Sequence, residues 1–250
     1  MLNYIISVHS TKIIQDIIKY IDFDSKIFII KVIYSHFTTL VKDLNGIYSI
    51  VNSIAEIEDI LAENKNSSKS FELNIKQSTI LKFFLHKFHK KVIKNIYEIS
   101  IDKYGCCFLQ KYMDIISKEK VIEIINIVFP YTKEFLTEKF ANYIIQYIIS
   151  KNYYCLNKII VKIFLEDLEF YCTSNVSSNV LEIFLDNNNY CDKLIEKLLL
   201  DESRDILKNI LLNPYGNYGK NLFLFLLISF LFYGEIQKWK ICNKTFIRVL

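Results

Sequence analysis

Glycine and proline are scarce in this sequence, whose 250 residues contain five glycines and two prolines. A chain of short β-strands needs many tight turns, and these two residues favour turns, so their shortage argues for long helices with short connections. Hydrophobic residues make up 52% of the chain, which excludes general disorder and allows a continuous core. The composition therefore predicts an all-α protein.

Motifs for catalysis and metal binding are also missing. The six cysteines form no Cys-x-x-Cys pair, and the adjacent Cys106 and Cys107 would point in different directions on a helix. The histidines are scattered, and His86 and His89 lie in a lysine-rich segment without a carboxylate at metal-site spacing. No Walker motif or dinucleotide fingerprint occurs. We expect no enzyme, no metal and no cofactor.

A membrane or secretory destination has little support. The N-terminus lacks a basic stretch followed by a long apolar one, and unpaired thiols suit a reducing compartment. The apolar run Leu222–Tyr233 has twelve residues, whereas a spanning helix needs about 20. A net charge of +4 is compatible with a nucleic-acid partner without indicating one. We expect a cytoplasmic, monomeric protein without a membrane partner.

A five-residue cassette recurs along the chain. "CCFLQ" at Cys106–Gln110, "NYIIQ" at Asn142–Gln146 and "SNVLE" at Ser178–Glu182 begin 36 residues apart. Four further places carry its outline, with first residues Thr11, Ile47, Ser78 and Asn217. The residue before the cassette is small in six of the seven units: Ser10, Gly46, Gly105, Ala141, Ser177 and Gly216. A small side chain there predicts the close approach of a neighbouring helix or of a ligand, and both explanations stay open.

The segments between cassettes are predicted to be helices. Glu119–Phe129, for example, has apolar residues at a spacing of 3.6 residues. A unit of 36 residues with two or three helices cannot bury its own apolar face, whereas stacked copies can. The repeat therefore predicts an α-solenoid with an extended concave surface.

Within a helix, the first and fifth cassette positions lie on one face, and the third and fourth turn inward. Each unit would then present two hydrogen-bonding groups and one platform residue on an exposed ridge. Short amides, hydroxyls and a thiol recur at these positions, where a lysine-rich surface would favour lysine and glutamate. Such groups beside exposed aromatic rings suit a site that stacks bases and reads their edges. Ordinary solvated positions of a solenoid are the other interpretation.

The cassettes resemble the Pumilio (PUF) family of RNA-binding repeats. "DKYGCCFLQKYMD", "EKFANYIIQYIIS" and "SNVSSNVLEIFLD" resemble its fifth, sixth and seventh repeats, and "NPYGNYGKN" resembles the start of the eighth. The resemblance is strong over residues 95–221 and an outline over 1–94. It implies a right-handed α-solenoid of about seven repeats of roughly 36 residues, which would form a domain at residues 1–221.

The family's base code implies a set of RNA contacts. Cys106 and Gln110 resemble the adenine reader, Asn142 and Gln146 the uracil reader with Tyr143 stacking, and Ser178 and Glu182 the guanine reader with Asn179 in the stacking slot. Asn217 and Tyr218 resemble a second uracil site, in which Asn221 is one methylene shorter than the usual glutamine. Because RNA runs antiparallel to the protein in this family, the implied core is 5′-UGUA-3′.

Other positions depart from the family pattern. Cys107 stands where an arginine or aromatic ring usually stacks, and Val51 cannot hydrogen-bond a base edge. Secondary RNA contacts are expected at six further residues: Thr11, Lys12, Gln15, Tyr48, Ser78 and Lys82. Of these, Lys82 would meet a phosphate. No first repeat is recognisable before Thr11, so the N-terminal end resembles a reduced domain.

The resemblance implies a protein that binds UGUA elements in mRNA 3′ untranslated regions and represses translation or promotes decay. Repression or decay factors on the convex face would be its partners. Two alternatives stay open: a nucleolar relative that acts in ribosome biogenesis, and a HEAT- or armadillo-like protein scaffold. Residues 222–250 depart from the repeat and would be a divergent cap, a degenerate repeat or a reading-frame artefact.

Overall fold

The protein is a succession of α-helices in the computed structural model, which describes residues 6–65, 74–187, 194 and 205–215. No strand occurs within these ranges, so the all-α prediction is confirmed. The chain divides into two compact units, Met1–Pro130 and Tyr131–Leu250.

The first unit contains eight described α-helices. They are α1 (Val8–Tyr20), α2 (Phe23–Ser35), α3 (Phe37–Leu40), α4 (Leu44–Lys65), α5 (Ile75–Lys94), α6 (Ile96–Ser100), α7 (Lys103–Ile115) and α8 (Lys118–Val128). A 3-10 helix follows at Phe129–Tyr131.

Six α-helices are described in the second unit. They are α9 (Thr132–Phe135), α10 (Asn142–Ser150), α11 (Tyr154–Glu166), α12 (Leu168–Thr173), α13 (Ser177–Asn187) and α14 (Asp205–Leu212).

The helices repeat in threes: a short helix, a helix that carries the cassette, and an outer helix. The series α6–α7–α8 shows the pattern, and α3–α4–α5 and α9–α10–α11 follow it. Consecutive cassette helices pack directly against each other: α1 on α4 and α4 on α7 in the first unit, and α10 on α13 in the second. Equivalent helices therefore stand side by side, as the stacked-repeat prediction requires.

The unit expected at Ser78 is not a separate repeat. Helix α4 packs directly on α7, and Ser78 and Lys82 belong to α5, the outer helix of the repeat that contains α4. The 59-residue interval between Ile47 and Cys106 arises because α4 and α5 are long, with 22 and 20 residues. One repeat with two long helices was therefore interpreted, from the sequence, as two shorter repeats.

The core follows the inward positions of the cassettes. The third and fourth residues of the three clear cassettes have at most 1% of their surface exposed: Phe108, Leu109, Ile144, Ile145, Val180 and Leu181. This confirms the prediction that these positions pack inside. Burial of such side chains contributes roughly 1.5–3 kcal/mol each, so packing between repeats stabilises the helices that carry the polar positions.

Candidate nucleic-acid interface

A polar side chain precedes four of the five described cassettes and accepts hydrogen bonds from the backbone. The capping residue stands four positions before the first cassette residue: Asp43, Asp102, Glu138 and Ser174. Its side-chain oxygen accepts hydrogen bonds from the backbone N–H groups two and three residues later, at 2.6–3.4 Å. Such bonds satisfy N–H groups that would otherwise be unpaired, so a polar residue at the same position orders the chain that enters every described cassette after the first.

The small residue before the cassette serves helix packing. A Cβ atom on Gly105 would collide with the carbonyl oxygen of Ile99 in the short helix α6. A Cβ atom on Gly46 would collide in the same way with the carbonyl oxygen of Leu40, six residues earlier in the short helix α3. In α13 the slot holds Ser177, whose hydroxyl donates to the carbonyl oxygen of Tyr171, also six residues earlier, at 3.0 Å. Of the two explanations left open by the sequence, these contacts favour packing of the short helix.

The first cassette residue is buried under this packing. The exposed fractions are 2% for Cys106, 3% for Asn142 and 9% for Ser178. The expectation that these residues lie on an exposed ridge is therefore wrong. The short helix and the adjacent cassette helix cover the start of the cassette, which a helical wheel of one helix does not show.

The second cassette residue is exposed in all five described cassettes. These residues are Lys12, Tyr48, Cys107, Tyr143 and Asn179. The fifth residue lies between the two extremes, because Gln110, Gln146 and Glu182 are half-buried. Each of the helices α7, α10 and α13 thus places one side chain at the surface and a second, hydrogen-bonding one partly below it.

Some predicted site residues, or their side chains, lie outside the described part of the chain. Thr11 and Gln15 are in α1, but their side chains are outside the described set. Asn217, Tyr218 and Asn221 fall outside the described residues, as does the segment 222–250. Lys82 is exposed and Ser78 half-buried on the outer helix α5, so neither belongs to the cassette surface.

Asn142 and Gln146 form a connected pair on α10. The Nε2 of Gln146 donates to Oδ1 of Asn142 at 2.7 Å. Asn142 in turn donates from Nδ2 to the carbonyl oxygens of Glu138 at 2.8 Å and Lys139 at 2.9 Å. Both amides are thereby oriented by the protein, and the Gln146 amide oxygen is left as an acceptor beside Tyr143, whose side chain is 49% exposed.

On α13 the equivalent positions hold Ser178 and Glu182. Glu182 is half-buried and makes no ion pair within the described residues. Asn179 is exposed, and its Nδ2 donates to the carbonyl oxygen of Asn175 at 3.1 Å. The result is a carboxylate acceptor at the place where α10 has an amide.

The thiols on α7 differ in their surroundings. Cys106 Sγ lies 3.3 Å from the carbonyl oxygen of Lys103, and Cys107 Sγ lies 3.6 Å from the same oxygen. Burial, with the neighbouring Cys107, raises the pKa of the Cys106 thiol to about 12. Cys106 is therefore a neutral, buried group at physiological pH, while Cys107 is exposed to solvent.

An exposed ring and a cation connect α4 and α7. The Lys111 Nζ lies 5.0 Å from the ring centroid of Tyr48, the second residue of its cassette. Cation–π contacts of this kind contribute about 0.5–1 kcal/mol at exposed sites. Val51, the fifth residue of that cassette, is buried with 9% exposure, so this unit offers a ring but no edge-reading group.

Metal centres and membrane-spanning helices are two further features for which the described ranges give findings. No group of three histidine, cysteine, aspartate or glutamate side chains there is arranged to hold a metal ion. In the same residues, no helix is both long and apolar enough to cross a bilayer.

Side-by-side packing of equivalent three-helix units, each with the same surface positions, defines an α-solenoid repeat protein. A profile of the Pumilio-family RNA-binding repeat matches residues 95–128, the stretch that holds α6, α7 and α8. This match, together with the relatives and solved structures below, supports a divergent protein similar to the Pumilio family.

Two relatives show how divergent it is. The chain is 24% identical over 215 residues to a Pumilio domain-containing protein of Schizosaccharomyces pombe, a match that covers 85% of this chain and 28% of the relative. It is 27% identical over 195 residues to the suppressor protein MPT5 of Saccharomyces cerevisiae, covering 72% of this chain and 20% of the relative. The chain therefore spans under a third of the length of these relatives.

Solved structures share the fold. The Puf3 RNA-binding domain bound to a Cox17 RNA 3′ UTR recognition sequence matches with a TM-score of 0.67 at 19% identity, over 92% of this chain and 67% of that one. PUF-8 in complex with PBE-RNA matches with a TM-score of 0.65 at 18% identity, over 91% and 64%. At these identities the likeness establishes the α-solenoid fold.

Proposed function

We propose that this chain binds single-stranded RNA through its cassette helices, recognises a UGUA core in mRNA 3′ untranslated regions, and represses the bound transcripts in the cytoplasm. The fold and the family support RNA binding, since the matching structures include domains bound to RNA. The sequence preference and the regulatory role are the parts that need testing.

One observation carries the proposal: the same three positions recur in the same states of burial on successive helices. In each clear cassette the first residue is buried, the second exposed and the fifth half-buried. One nucleotide per helix then meets one edge-reading side chain, and the exposed second residues stack against the bases. Stacking contributes about 1–3 kcal/mol per base, so several helices together supply useful affinity.

The pairs differ in the hydrogen bonds that they offer. Gln146 has its amide nitrogen engaged by Asn142, so its oxygen can accept from N3–H of uracil. Glu182 offers a carboxylate, which can accept from both N1–H and the N2 amine of guanine. In the Cys106–Gln110 cassette the thiol is small, neutral and buried, so the half-buried Gln110 would be the group that reads an adenine edge.

If RNA runs antiparallel to the protein, as the resemblance implies, guanine would face Ser178–Glu182, uracil Asn142–Gln146 and adenine Cys106–Gln110. The first uracil would face Asn217, which lies outside the described residues. Binding itself changes no covalent bond, so repression requires recruited proteins, for which the resemblance implies the convex face. A monomer is sufficient for this arrangement.

Selection from a randomised pool of short RNAs tests the code without assuming it. Sequencing of RNAs retained by the purified chain should show enrichment of UGUA. The Glu182→Ala variant should lose the preference for guanine at the second position and keep the other three. A pool without any enriched motif would refute sequence-specific binding.

The regulatory role needs a separate test in cells. A reporter mRNA with UGUA in its 3′ untranslated region should give less protein when the chain is expressed than the same reporter with ACUA. Equal output from the two reporters would contradict repression while leaving RNA binding intact.

A further inference from the structure

Helix α5 carries an unusual concentration of positive charge. Its 20 residues, Ile75–Lys94, contain six lysines and two histidines and no acidic residue. The outer helix α8, in contrast, contains Glu119 and Glu123 among its lysines. An uninterrupted basic helix is the electrostatic pattern of a surface that meets a polyanion.

The charge is organised along one line of the helix. Lys76, Lys87, Lys90 and Lys94, together with Phe83, fall within an arc of about 60° at 100° per residue. We call these five residues the lysine stripe. The buried face of α5 lies opposite: Leu81, Phe84, Leu85, Phe88, His89 and Val92. The stripe is about 27 Å long at 1.5 Å per residue and points away from the helices beneath α5.

The lysines of the stripe make no ion pair within the described residues. Lys91, which is not on the stripe, shows what an internal role looks like. Its Nζ donates to the carbonyl oxygen of Tyr34 at 2.7 Å and lies 4.1 Å from the Tyr34 ring centroid, and burial lowers its pKa. Lys90 and Lys94 are instead exposed and lie one helical turn apart, so their positive charges repel each other. An anion bound between them would offset this repulsion.

The stripe also contains an exposed aromatic ring. The side chain of Phe83 is 52% exposed, and Lys87 Nζ lies 5.1 Å from its ring centroid. A membrane surface is a poor fit, because the apolar face of α5 is buried and cannot enter lipid. The carboxylates of an acidic peptide would form ion pairs with the lysines, but they would not stack on the Phe83 ring. Single-stranded nucleic acid uses both, since phosphates pair with lysines and a base stacks on the ring.

We propose that the lysine stripe binds the backbone of RNA that flanks the cassette-bound element on its 3′ side, with Phe83 stacking on a base. The choice of side rests on the proposed function. If Gln110 reads the final adenine, the next nucleotides 3′ of it reach α4. RNA that continues beyond α4 would turn outward over α5, which packs on α4 in the same repeat. The stripe would thereby add affinity without adding sequence preference.

Three fluorescent RNAs test this: a short UGUA core, the core with twenty uridines added 3′, and the core with the same uridines added 5′. The wild-type chain should bind the 3′-extended RNA most tightly. Its affinity should depend on salt more steeply than that of the core, because each neutralised phosphate adds about 0.7 to the logarithmic slope. A matched variant pair completes the design.

The test variant is Lys76→Gln/Lys90→Gln/Lys94→Gln, and the control is Lys31→Gln/Lys118→Gln/Lys158→Gln, which removes the same charge from exposed positions on α2, α8 and α11. The test variant should lose the advantage of the 3′ extension and about 2 from the salt slope. It should keep the affinity for the core, while the control keeps both. Equal losses in the two variants, or an equal gain from the 5′ extension, would overturn the proposal.

Failure of the code and failure of the stripe give different results. If UGUA and scrambled cores bind equally, but the test variant alone loses affinity for a uridine 20-mer, the code fails and RNA binding by the stripe stands. If UGUA is still preferred, but the 3′ extension adds nothing, the stripe proposal fails. Tighter binding of a polyglutamate 20-mer than of the uridine 20-mer would also overturn it, in favour of an acidic protein partner.

Discussion

Gln146 and Asn142 form a hydrogen bond of 2.7 Å, from the amide nitrogen of the first to the amide oxygen of the second, one helical turn apart. Asn142 is held in turn by the carbonyl oxygens of Glu138 and Lys139. The pair is therefore oriented by its own helix before any ligand arrives. A group that is oriented before binding loses less conformational entropy on binding. The same pair should therefore recognise the same base when it is placed on the equivalent turn of another cassette helix.

The double substitution Ser178→Asn with Glu182→Gln should convert the guanine site to a uracil site. It copies the α10 pair onto α13, replacing a carboxylate that accepts twice by an amide oriented for uracil. Discrimination by one well-formed pair is worth about 1–3 kcal/mol, so the preference between UGUA and UUUA RNA should reverse by roughly 10-fold or more in fluorescence polarisation. An equal loss of binding to both RNAs would contradict the base code.

Alkylation should distinguish the adjacent thiols. Burial raises the pKa of Cys106 to about 12 and also raises that of Cys172. The reactive thiolate is therefore nearly absent from both at pH 8. Iodoacetamide should modify Cys107 in the native chain, and the other two only after unfolding, as read by peptide mass spectrometry.

RNA provides the control for this labelling. UGUA RNA should slow the modification of Cys107, which is predicted to lie between bound bases, and an RNA without the core should not. Faster labelling of Cys106 than of Cys107 in the native chain would contradict the described burial.

Gly105→Ala should destabilise the protein although alanine is the better helix former. The added Cβ would collide with the Ile99 carbonyl oxygen, a backbone atom that cannot move cheaply. Overpacking costs about 1–3 kcal/mol, which exceeds the gain in helix propensity of about 1 kcal/mol. We expect the midpoint of thermal unfolding to fall by several degrees in circular dichroism.

Ser177→Ala is the matched comparison for Gly105→Ala, because a Cβ already fits at that slot. It removes only the hydrogen bond to Tyr171, worth about 0.5–1.5 kcal/mol. A Gly105→Ala chain at least as stable as the wild type would show that the short helix does not need the close approach.

A buried histidine ties three helices of the first unit together. His89 on α5 lies 2.9 Å from the Tyr112 hydroxyl through Nδ1 and 3.0 Å from a Glu123 carboxylate oxygen through Nε2. His89→Leu should lower the free energy of unfolding by about 1–3 kcal/mol, since it leaves the buried Tyr112 hydroxyl without this partner. Urea unfolding measures the change.

Tyr112→Phe separates the hydrogen bond from the packing of the ring. Because the two residues share one interaction, the double variant should be more stable than the sum of the single effects predicts, by about 1 kcal/mol. Strictly additive losses would mean that the contact contributes nothing to stability.

Local patterns in the sequence predicted much of the cassette. The inward positions Phe108 and Leu109 follow from hydrophobic spacing within one helix, and the exposed Tyr143 follows from the same geometry. The cap could also have been found, since Asp43 and Asp102 stand at the same distance before their cassettes. Each of these features depends on neighbours within a turn or two along the chain.

Features that depend on neighbouring helices were harder to predict. Cys106 is buried because the short helix approaches across Gly105, and no helical wheel of α7 contains that contact. Ser78 was assigned to an extra unit because helix length is not fixed by hydrophobic spacing; the direct packing of α4 on α7 corrected it. The lysine stripe was visible as composition, but its exposure required the buried face of α5 to be known.

The most direct measurement is the binding of the purified chain to a short fluorescent RNA that contains UGUA, at near-physiological salt. The matched probes are the same RNA with ACUA and the DNA version of the UGUA sequence. If the cassettes read bases, polarisation should show tight binding to UGUA RNA and much weaker binding to both of the others. Weak, salt-sensitive binding of equal strength to all three probes would contradict sequence-specific recognition by the cassette helices.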